Sequence, residues 1–536
     1  MSKRTFFQGA VVLAAAGIVI KILGAVFRIP LANMIGSQGM AYYQAAYPVY
    51  VFFMMLATAG IPVAISRMVS ERLAENKILH AHKVYKVSII LLLIIGVTSS
   101  SICFFGASHI VRWINIPGAY YAMRAIAPAL LFVSLMAAFR GYFQGMQNMK
   151  PTAVSQIIEQ FFRVGIGLFL AWYFIKTSSE YAAAGAAFGA TIGGIAGLLT
   201  VVIIYFKRSR NRREASAIGY IGDDLEPGIA ILSKIFVIAV PITIGAAIMP
   251  IMNFIDVAII MKRLEAAGFV LSRAEDLYGQ LSGFAGPLIN FPQVLTQAVA
   301  MSLVPAVAMA AKQKDNEFLH RNVSLGLRTA MMAGFPCAVG LLVLAKPIMM
   351  VLYPFQRESA VEAAPILMIM AIGVIFLSNV QTLTGILQGV GKQLVPVKNL
   401  AIGALFKIII TWWLAGVYVI NVKGAAIGTV IAYITAALLN LLAVKKYTGT
   451  RFSYNLTYFK PLISSSVMGI GSCLSYKAFY LLTSSNGLSL LLAIIISVFI
   501  YTAMLFVTGA VEKEEIRMMP KGDKILRIIN IFYKKG

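Results

Sequence analysis

The sequence is 536 residues long, 60% hydrophobic, 12% charged, and formally +26. A soluble domain carries about 25% charged residues, so lipid must replace water as the solvent for most of this chain. Nucleic-acid binding would need a polar basic domain, and the sequence has none.

Apolar runs close to the roughly 20 residues that cross the hydrocarbon as a helix recur about fourteen times along the chain. The first six lie near 6–32, 41–65, 85–106, 121–143, 152–175 and 183–206. Six more lie near 233–261, 277–310, 324–345, 363–390, 398–420 and 425–444, and two follow near 461–482 and 488–508. Lys3 and Arg4 ahead of the first run imitate a signal peptide, but the run continues past Lys21 and Arg28 as one helix. Several spans contain proline (Pro48, Pro62, Pro241, Pro250, Pro287, Pro292, Pro305). Each breaks the backbone ladder and permits a bend, so spans two, seven and eight are candidates for moving elements.

The loop charges sort by side. With the N-terminus placed in the cytoplasm, the even-numbered connections carry Arg67, Arg72, Lys77, Lys83 and Lys86, then Lys207, Arg208, Arg210, Arg212 and Arg213. Lys312, Lys314, Arg321, Lys445, Lys446, Arg451 and Lys460 fall on the same side, as does a basic tail with Lys513, Arg517, Lys521, Lys524 and Arg527. Outward connections carry few cations, such as Arg112, Lys176 and Lys423. The loop with Lys262, Arg263 and Arg273 is balanced by Glu265, Glu275 and Asp276. This is the positive-inside asymmetry. It predicts a multi-pass protein of the cell membrane with both termini cytoplasmic, and it accounts for most of the net charge without nucleic acid.

An internal repeat runs at an offset near 240. Gly141-Tyr142-Phe143-Gln144-Gly145 before Pro151 matches Gly385-Ile386-Leu387-Gln388-Gly389 before Pro396. Gly185–Gly189 matches Gly424–Gly428, Leu79-His80 matches Leu319-His320, and Pro62-Val63-Ala64 matches Pro305-Ala306-Val307. Four matches in one order do not arise by chance, and six spans per repeat keep the two copies in the same orientation. The expected fold is all-α: two parallel six-helix repeats and two additional C-terminal helices. The expected limits are 1–225 for the first lobe, 226–455 for the second, 456–510 for the last two helices and 511–536 for the basic tail.

Charges at mid-membrane depth cost about 2.5–3.5 kcal/mol on insertion scales, so each needs a reason. Lys21 and Arg28 share one face of the first span. Arg163 in the fifth span and Lys407 in the eleventh are related by the repeat, so each lobe offers a cation at similar depth. Snorkelling to headgroups is the alternative for Arg28, and a neutral i,i+4 pair with Glu159 is the alternative for Arg163. Asp256 and Glu159 are candidates for counter-ion or coupling roles. Asn290, Gln293 and Gln297 share a face of the eighth span and, like Gln156 and Gln160, must bond to something in lipid; the choices are interhelical packing or sugar hydroxyls. The stripe Tyr43, Tyr47, Tyr50 reads as packing or an interfacial belt. Cys103, Cys337, Cys473 and the pair His80/His82 give no disulfide framework and no metal spacing.

Lys21-Ile22-Leu23-Gly24, Arg28-Ile29-Pro30-Leu31, the Gly36 to Tyr43 stretch and Ala59-Gly60-Ile61-Pro62-Val63-Ala64-Ile65-Ser66 carry a resemblance, strengthened by Arg140–Gly145 with Ser155-Gln156 and Glu159-Gln160. Over nearly the whole chain, the sequence resembles the stage V sporulation protein B and polysaccharide transporter family of the MOP exporter superfamily. That superfamily also holds MurJ-type lipid II flippases and MATE drug exporters. The resemblance implies two lobes around a V-shaped cavity and a groove for a polyprenyl tail on the last two helices. It also implies first-helix cations lining the cavity: Lys21 matches by its Leu-Gly context, and Arg28 matches with one extra residue between them. MurJ-type flippases carry a further arginine where this chain has Tyr278-Gly279-Gln280-Leu281, a departure that favours a lipid-linked saccharide in general over lipid II in particular.

The expected function is therefore a flippase, not an enzyme. A polyprenyl-diphosphate-linked saccharide would move from inner to outer leaflet by alternating access, with Lys21, Arg28, Arg163 and Lys407 attracting the diphosphate and Gln293 and Gln297 serving the sugar. The partners expected are that anionic glycolipid, anionic membrane lipids and cell-wall synthesis proteins. No cofactor or metal is expected. No Gly-x-x-x-x-Gly-Lys-Ser/Thr motif is present, so energy would come from the membrane potential or from a proton or sodium gradient. Two rivals remain open. A cation-coupled drug exporter predicts acidic cavity residues, and a membrane-embedded polyprenyl-phosphate transferase needs interfacial carboxylates. For the latter, only Asp223-Asp224 with Glu226 offers itself.

Overall fold

The computed structural model describes residues 3–213 and 226–511. The described residues form eighteen α-helices and no strand. This follows from the solvent: lipid offers the backbone no hydrogen-bond partner, so each span must satisfy its own N–H and C=O groups. Among the described residues, twelve stretches are long and apolar enough to cross a membrane. The first, Ile22–Ala74, holds a break at Gly36, and the 24-residue helix Lys460–Thr483 is not among the twelve, so the expected fourteen spans are compatible with the fold.

The chain packs as two compact units, residues 1–284 with 415–421, and 285–414 with 422–536. The sequence repeat and the packing divide at different places, because the seventh span and the helix after it pack in the first unit. Asp223, Asp224, the tail from 512 onward and the side chains of Lys21, Arg208, Arg210, Arg212 and Arg213 lie outside the described residues.

The first unit contains α1 (Lys3–Thr58), α2 (Ile61–Ala74), α3 (Ile78–Phe105), α4 (Ala107–Trp113), α5 (Tyr120–Ile126), α6 (Ala129–Gly145), α7 (Lys150–Phe174), α8 (Ser179–Arg213), α9 (Gly228–Ala266) and α10 (Leu271–Gly279). The long α1 is not one rod. At Gly36 the backbone takes φ 70°, ψ −177°, a conformation open to glycine. Sixteen residues of straight helix would separate Phe27 from Tyr43 by about 24 Å, yet their rings lie 5.8 Å apart. The chain therefore folds back at Gly36, and spans one and two are the arms of one hairpin.

That elbow is stitched to α10. Gln38 Nε2 and the Tyr42 hydroxyl donate to Glu275 at 2.9 and 3.0 Å, and the Ser37 hydroxyl donates to Asp276. Asp276 also pairs with Arg273. Glu275 and Asp276, expected only to balance loop charge, thus fasten the elbow, and Gly279 has no room for a Cβ because the Ser37 backbone lies against it.

The second unit contains α11 (Gly286–Gln313), α12 (Asn316–Val343), α13 (Ala345–Leu352), α14 (Arg357–Gly389), α15 (Leu394–Leu414), α16 (Lys423–Thr448), α17 (Lys460–Thr483) and α18 (Asn486–Val507). Its helix limits have local causes. Asp315 caps α12 by accepting from the Phe318 N–H at 2.9 Å, and Gly449 ends α16 at φ 67°. α17 packs against α12 and α18, with the Ser472 and Ser497 hydroxyls 2.5 Å apart at the α17–α18 seam.

Each unit repeats one packing device. On α6, a Cβ at Gly141 would lie 2.9 Å from the Pro62 carbonyl of α2. On α14, a Cβ at Gly385 would lie 2.7 Å from the Ala300 carbonyl of α11. Small residues four apart let the backbones touch, so the matching glycine pairs in the sequence are matching helix contacts in the fold. Connections expected on one side also meet on one side. His320 bonds the Thr448 carbonyl at 2.8 Å, and Lys392 lies 5.1 Å from the Tyr447 ring. In the first unit Arg72 and Lys234 both bind Glu226, while the odd-numbered connections bring the Phe269 and Tyr418 rings into a 4.5 Å stack.

Candidate functional site

The hairpin in α1 sets up the principal cluster of the first unit. Folding back at Gly36 lays the arm with Phe27 and Arg28 beside the arm with Tyr43, Tyr47 and Tyr50. Successive tyrosines, three or four residues apart, share one helix face, and their ring centroids are 6.0 and 6.1 Å apart. The Arg28 guanidinium lies 5.9 Å from the Tyr47 ring centre. From α7, Arg163 donates to the Tyr50 hydroxyl at 3.0 Å and lies 5.6 Å from that ring. The stripe read as packing or an interfacial belt is thus a tyrosine ladder with one guanidinium over its middle ring and another at its Tyr50 end. Cation–π contacts are worth about 2 kcal/mol or more when desolvated. They position a cation while leaving its charge unneutralised.

Glu159 makes no ion pair with Arg163, although its charge still acts on that guanidinium. Its carboxylate is 2.9 Å from Arg140 on α6, whose Nε also donates to Ser155 at 3.0 Å. Arg140 and Glu159 are 14% and 15% exposed, so this is an intramembrane ion pair between neighbouring helices. The i,i+4 pairing of Glu159 with Arg163 is replaced by a pairing across helices. Arg140 stands in the Arg-Gly-Tyr-Phe-Gln-Gly motif, but nothing in its spacing singles it out as the partner of Glu159.

The repeat places Arg163 and Lys407 alike. A Cβ on Gly189 of α8 would meet the Arg163 carbonyl at 2.5 Å, and a Cβ on Gly428 of α16 would meet the Lys407 carbonyl at 3.1 Å. Each cation stands on a helix that presses its backbone against a glycine of the next helix. Lys407 is half-buried on α15. Three amides of the second unit, Gln381, Asn399 and Asn440, serve interhelical bonds. Thr296 donates to Gln381 Oε1 at 2.6 Å, and Asn399 Nδ2 donates to Asn440 Oδ1 at 2.8 Å. Gln293 and Gln297 are half-buried on α11 and Asn290 is exposed. Asp256 is buried on α9, 6% exposed.

One buried cation was missed from sequence. Arg328, 5% exposed on α12, donates Nε to the Ala510 carbonyl at 3.0 Å, and Lys460 donates to the Gly509 carbonyl at 3.0 Å. Two cations thereby hold the end of α18, where the helix dipole is negative. Their role is to fasten α18, and only the tertiary placement of residues 509–510 reveals it.

The family model described as polysaccharide biosynthesis protein matches residues 6–311, more than half of the chain. The chain belongs to the polysaccharide biosynthesis protein family. A second model, MatE, matches residues 282–413. Within the family's reach, stage V sporulation protein B of Bacillus subtilis (strain 168) is 28% identical over 97% of this chain and 98% of its own length. The lipid II flippase MurJ of the same organism is 27% identical over 86% of this chain and 87% of its own. A solved structure of lipid II flippase MurJ in an inward closed conformation covers 93% of this chain and 98% of its own with a TM-score of 0.70 at 17% identity, and so shares the fold. This member of the polysaccharide biosynthesis protein family is a multi-pass membrane protein that shares its fold with the lipid II flippase MurJ.

Proposed function

We propose that the chain is a flippase for a polyprenyl-diphosphate-linked saccharide, a lipid II-like peptidoglycan precursor or a related polysaccharide unit, moved from inner to outer leaflet by alternating access. The observation that carries this reading is the pair Arg28 and Arg163 held on tyrosine rings while the nearby carboxylate of Glu159 is taken up by Arg140. A guanidinium kept in place without a carboxylate has its planar fork to offer, and that fork matches phosphate oxygens. Lys407 supplies the repeat-related cation of the second unit, Lys21 lies about two turns from Arg28 along α1, and Gln293 and Gln297 offer amides to sugar hydroxyls. The relatives named as lipid II flippases support the cargo class.

With both termini in the cytoplasm, the diphosphate enters from the inner leaflet while the polyprenyl tail stays in lipid. The membrane potential or an ion gradient supplies the energy, and Asp256 is the candidate for the coupling ion. Arg163→Ala and Lys407→Ala should each lower the transfer of a fluorescent polyprenyl-diphosphate sugar in proteoliposomes by on the order of 100-fold, the scale of removing one partner of a desolvated charge pair. Arg163→Lys should restore part of it. Full transfer in both alanine variants, with protein present in the membrane, would refute the reading. Transfer that survives them but fails in Asp256→Asn would favour a cation-coupled exporter.

A further inference from the structure

A second basic site lies far along the chain from the tyrosine ladder. Where α16 ends, the residues Lys445, Gly449, Thr450, Arg451, Phe452 and Tyr454 line an open cavity of about 400 Å³. The lining holds two cations and no carboxylate, and no ion pair among the described residues takes up Lys445 or Arg451.

The bland explanation is that these cations serve the negative end of α16. The hydrogen bonds argue otherwise. The Thr448 carbonyl accepts from His320 Nε2 at 2.8 Å, and the Lys445 carbonyl accepts from the Gly449 N–H at 3.0 Å. Two of the carbonyls at the helix end are therefore taken by groups other than these cations. Lys445 instead donates to the Tyr454 hydroxyl at 2.6 Å and lies 5.2 Å from that ring, which aims the ammonium across the cavity. Gly449, at φ 67°, turns the chain so that Arg451 follows within two residues, and Thr450 is fixed by its N–H and hydroxyl bonds to Thr448. The floor of the cavity is held at Thr450, and Lys445 is placed by Tyr454.

The surroundings name the source of the anion. Leu438, Leu442 and Lys446 follow one another at i, i+4, i+8 and lie on one stripe of α16, and both leucines are exposed, as are Phe459 and Leu462 beyond the cavity. Tyr447 and Tyr454 stand at the junction of this apolar surface with the basic end, the place of an interfacial aromatic belt. Lys392 and Lys446 both lie over Tyr447, at 5.1 and 5.9 Å. A headgroup in the cavity would leave its acyl chains along the leucine stripe.

We propose that this cavity binds the phosphate of an anionic membrane lipid, at a site separate from the transport residues. Its partner is defined by chemistry: one phosphodiester with acyl chains, on the side to which the loop charges assign the cytoplasm. A basic pocket between helix ends on that side suits such a headgroup.

The test uses the full chain, purified in detergent, with native mass spectrometry of added phosphatidylglycerol and phosphatidylcholine and with inorganic pyrophosphate as soluble competitor. The expected result is preferential retention of phosphatidylglycerol, falling about fivefold in either Arg451→Gln or Lys445→Gln, the effect of one cation at an anionic surface. Phosphatidylcholine retention should be unchanged, and Arg451→Lys should keep the preference. Arg451 is exposed, so its replacement leaves packing intact. Equal retention of both lipids, or unchanged phosphatidylglycerol retention in the Arg451→Gln/Lys445→Gln double variant, would overturn the proposal. Binding of pyrophosphate that depends on Arg451, with no preference between the lipids, would give the cavity to soluble phosphates and overturn the lipid assignment.

Discussion

Arg163 and Lys407 occupy matching places in the two repeats, yet their surroundings differ. Behind each lies the same seam, a glycine of the following helix pressed on the cation's own backbone carbonyl. In front of Arg163 stands the tyrosine ladder, and its guanidinium is fixed by a hydrogen bond and a ring face. On α15 and the helix packed against it, amides pair instead, Asn399 Nδ2 donating to Asn440 Oδ1 at 2.8 Å, and among the described residues no tyrosine ladder is repeated there. Repetition has preserved the scaffold that sets the depth of the cation. It has not preserved the chemistry of the cation, so one unit offers a planar guanidinium fork placed on a tyrosine ring and the other an ammonium.

The sharpest way to break this contrast is to disturb the carboxylate that Arg163 does not use. Glu159→Gln leaves Arg140 in the membrane without its counter-charge, a loss of about 3 kcal/mol for a broken buried pair. The thermal unfolding midpoint of the detergent-solubilised protein should fall, and the double variant Arg140→Gln/Glu159→Gln should recover most of it. If Glu159→Gln leaves the midpoint unchanged, the carboxylate is not committed to Arg140, and Arg163 loses its distinction.

The seams give the next largest effect. At Gly189 a new Cβ meets backbone, the Arg163 carbonyl at 2.5 Å and the Gly167 Cα at 2.7 Å; at Gly428 the nearest atom is a side-chain oxygen, Thr411 Oγ1 at 2.6 Å, which can rotate away. Gly189→Ala should therefore cost about 2 kcal/mol by overpacking, and Gly428→Ala should cost less. Equal losses of midpoint in the two variants would mean that the seams are alike.

The smallest effect is expected outside the membrane. Glu226 accepts hydrogen bonds from Lys234 and from Arg72, and these hold its carboxyl below the usual carboxylate range. A lowered folded-state pKa means that this tie is complete at neutral pH. It weakens as the pH falls below the ordinary value of about 4.3 and through the folded one. The parent should be slightly more stable than Glu226→Gln at neutral pH, and the difference should vanish in acid. A difference that grows in acid would contradict the assignment.

Much of this fold was legible in the sequence because its rules are local. Helix length, apolar runs and loop charge are read along the chain, and lipid imposes them without reference to any partner. The repeat was legible for the same reason, since Gly141/Gly145 and Gly385/Gly389 mark backbone contacts that tolerate no larger residue. Arg28, Arg163 and Lys407 were visible as costly charges in apolar spans. What each charge meets was not visible. The pairing of Arg140 with Glu159, the hold of Arg328 on residue 510, the clasp of Glu275 and Asp276 on the Gly36 elbow, and the tyrosines between Arg28 and Arg163 all join residues that are far apart in sequence or whose spacing carries no signal. A charge in lipid announces that it needs a partner, because solvation there is expensive. Which partner it finds depends on distances of a few ångströms across helices, and only the folded packing decides those.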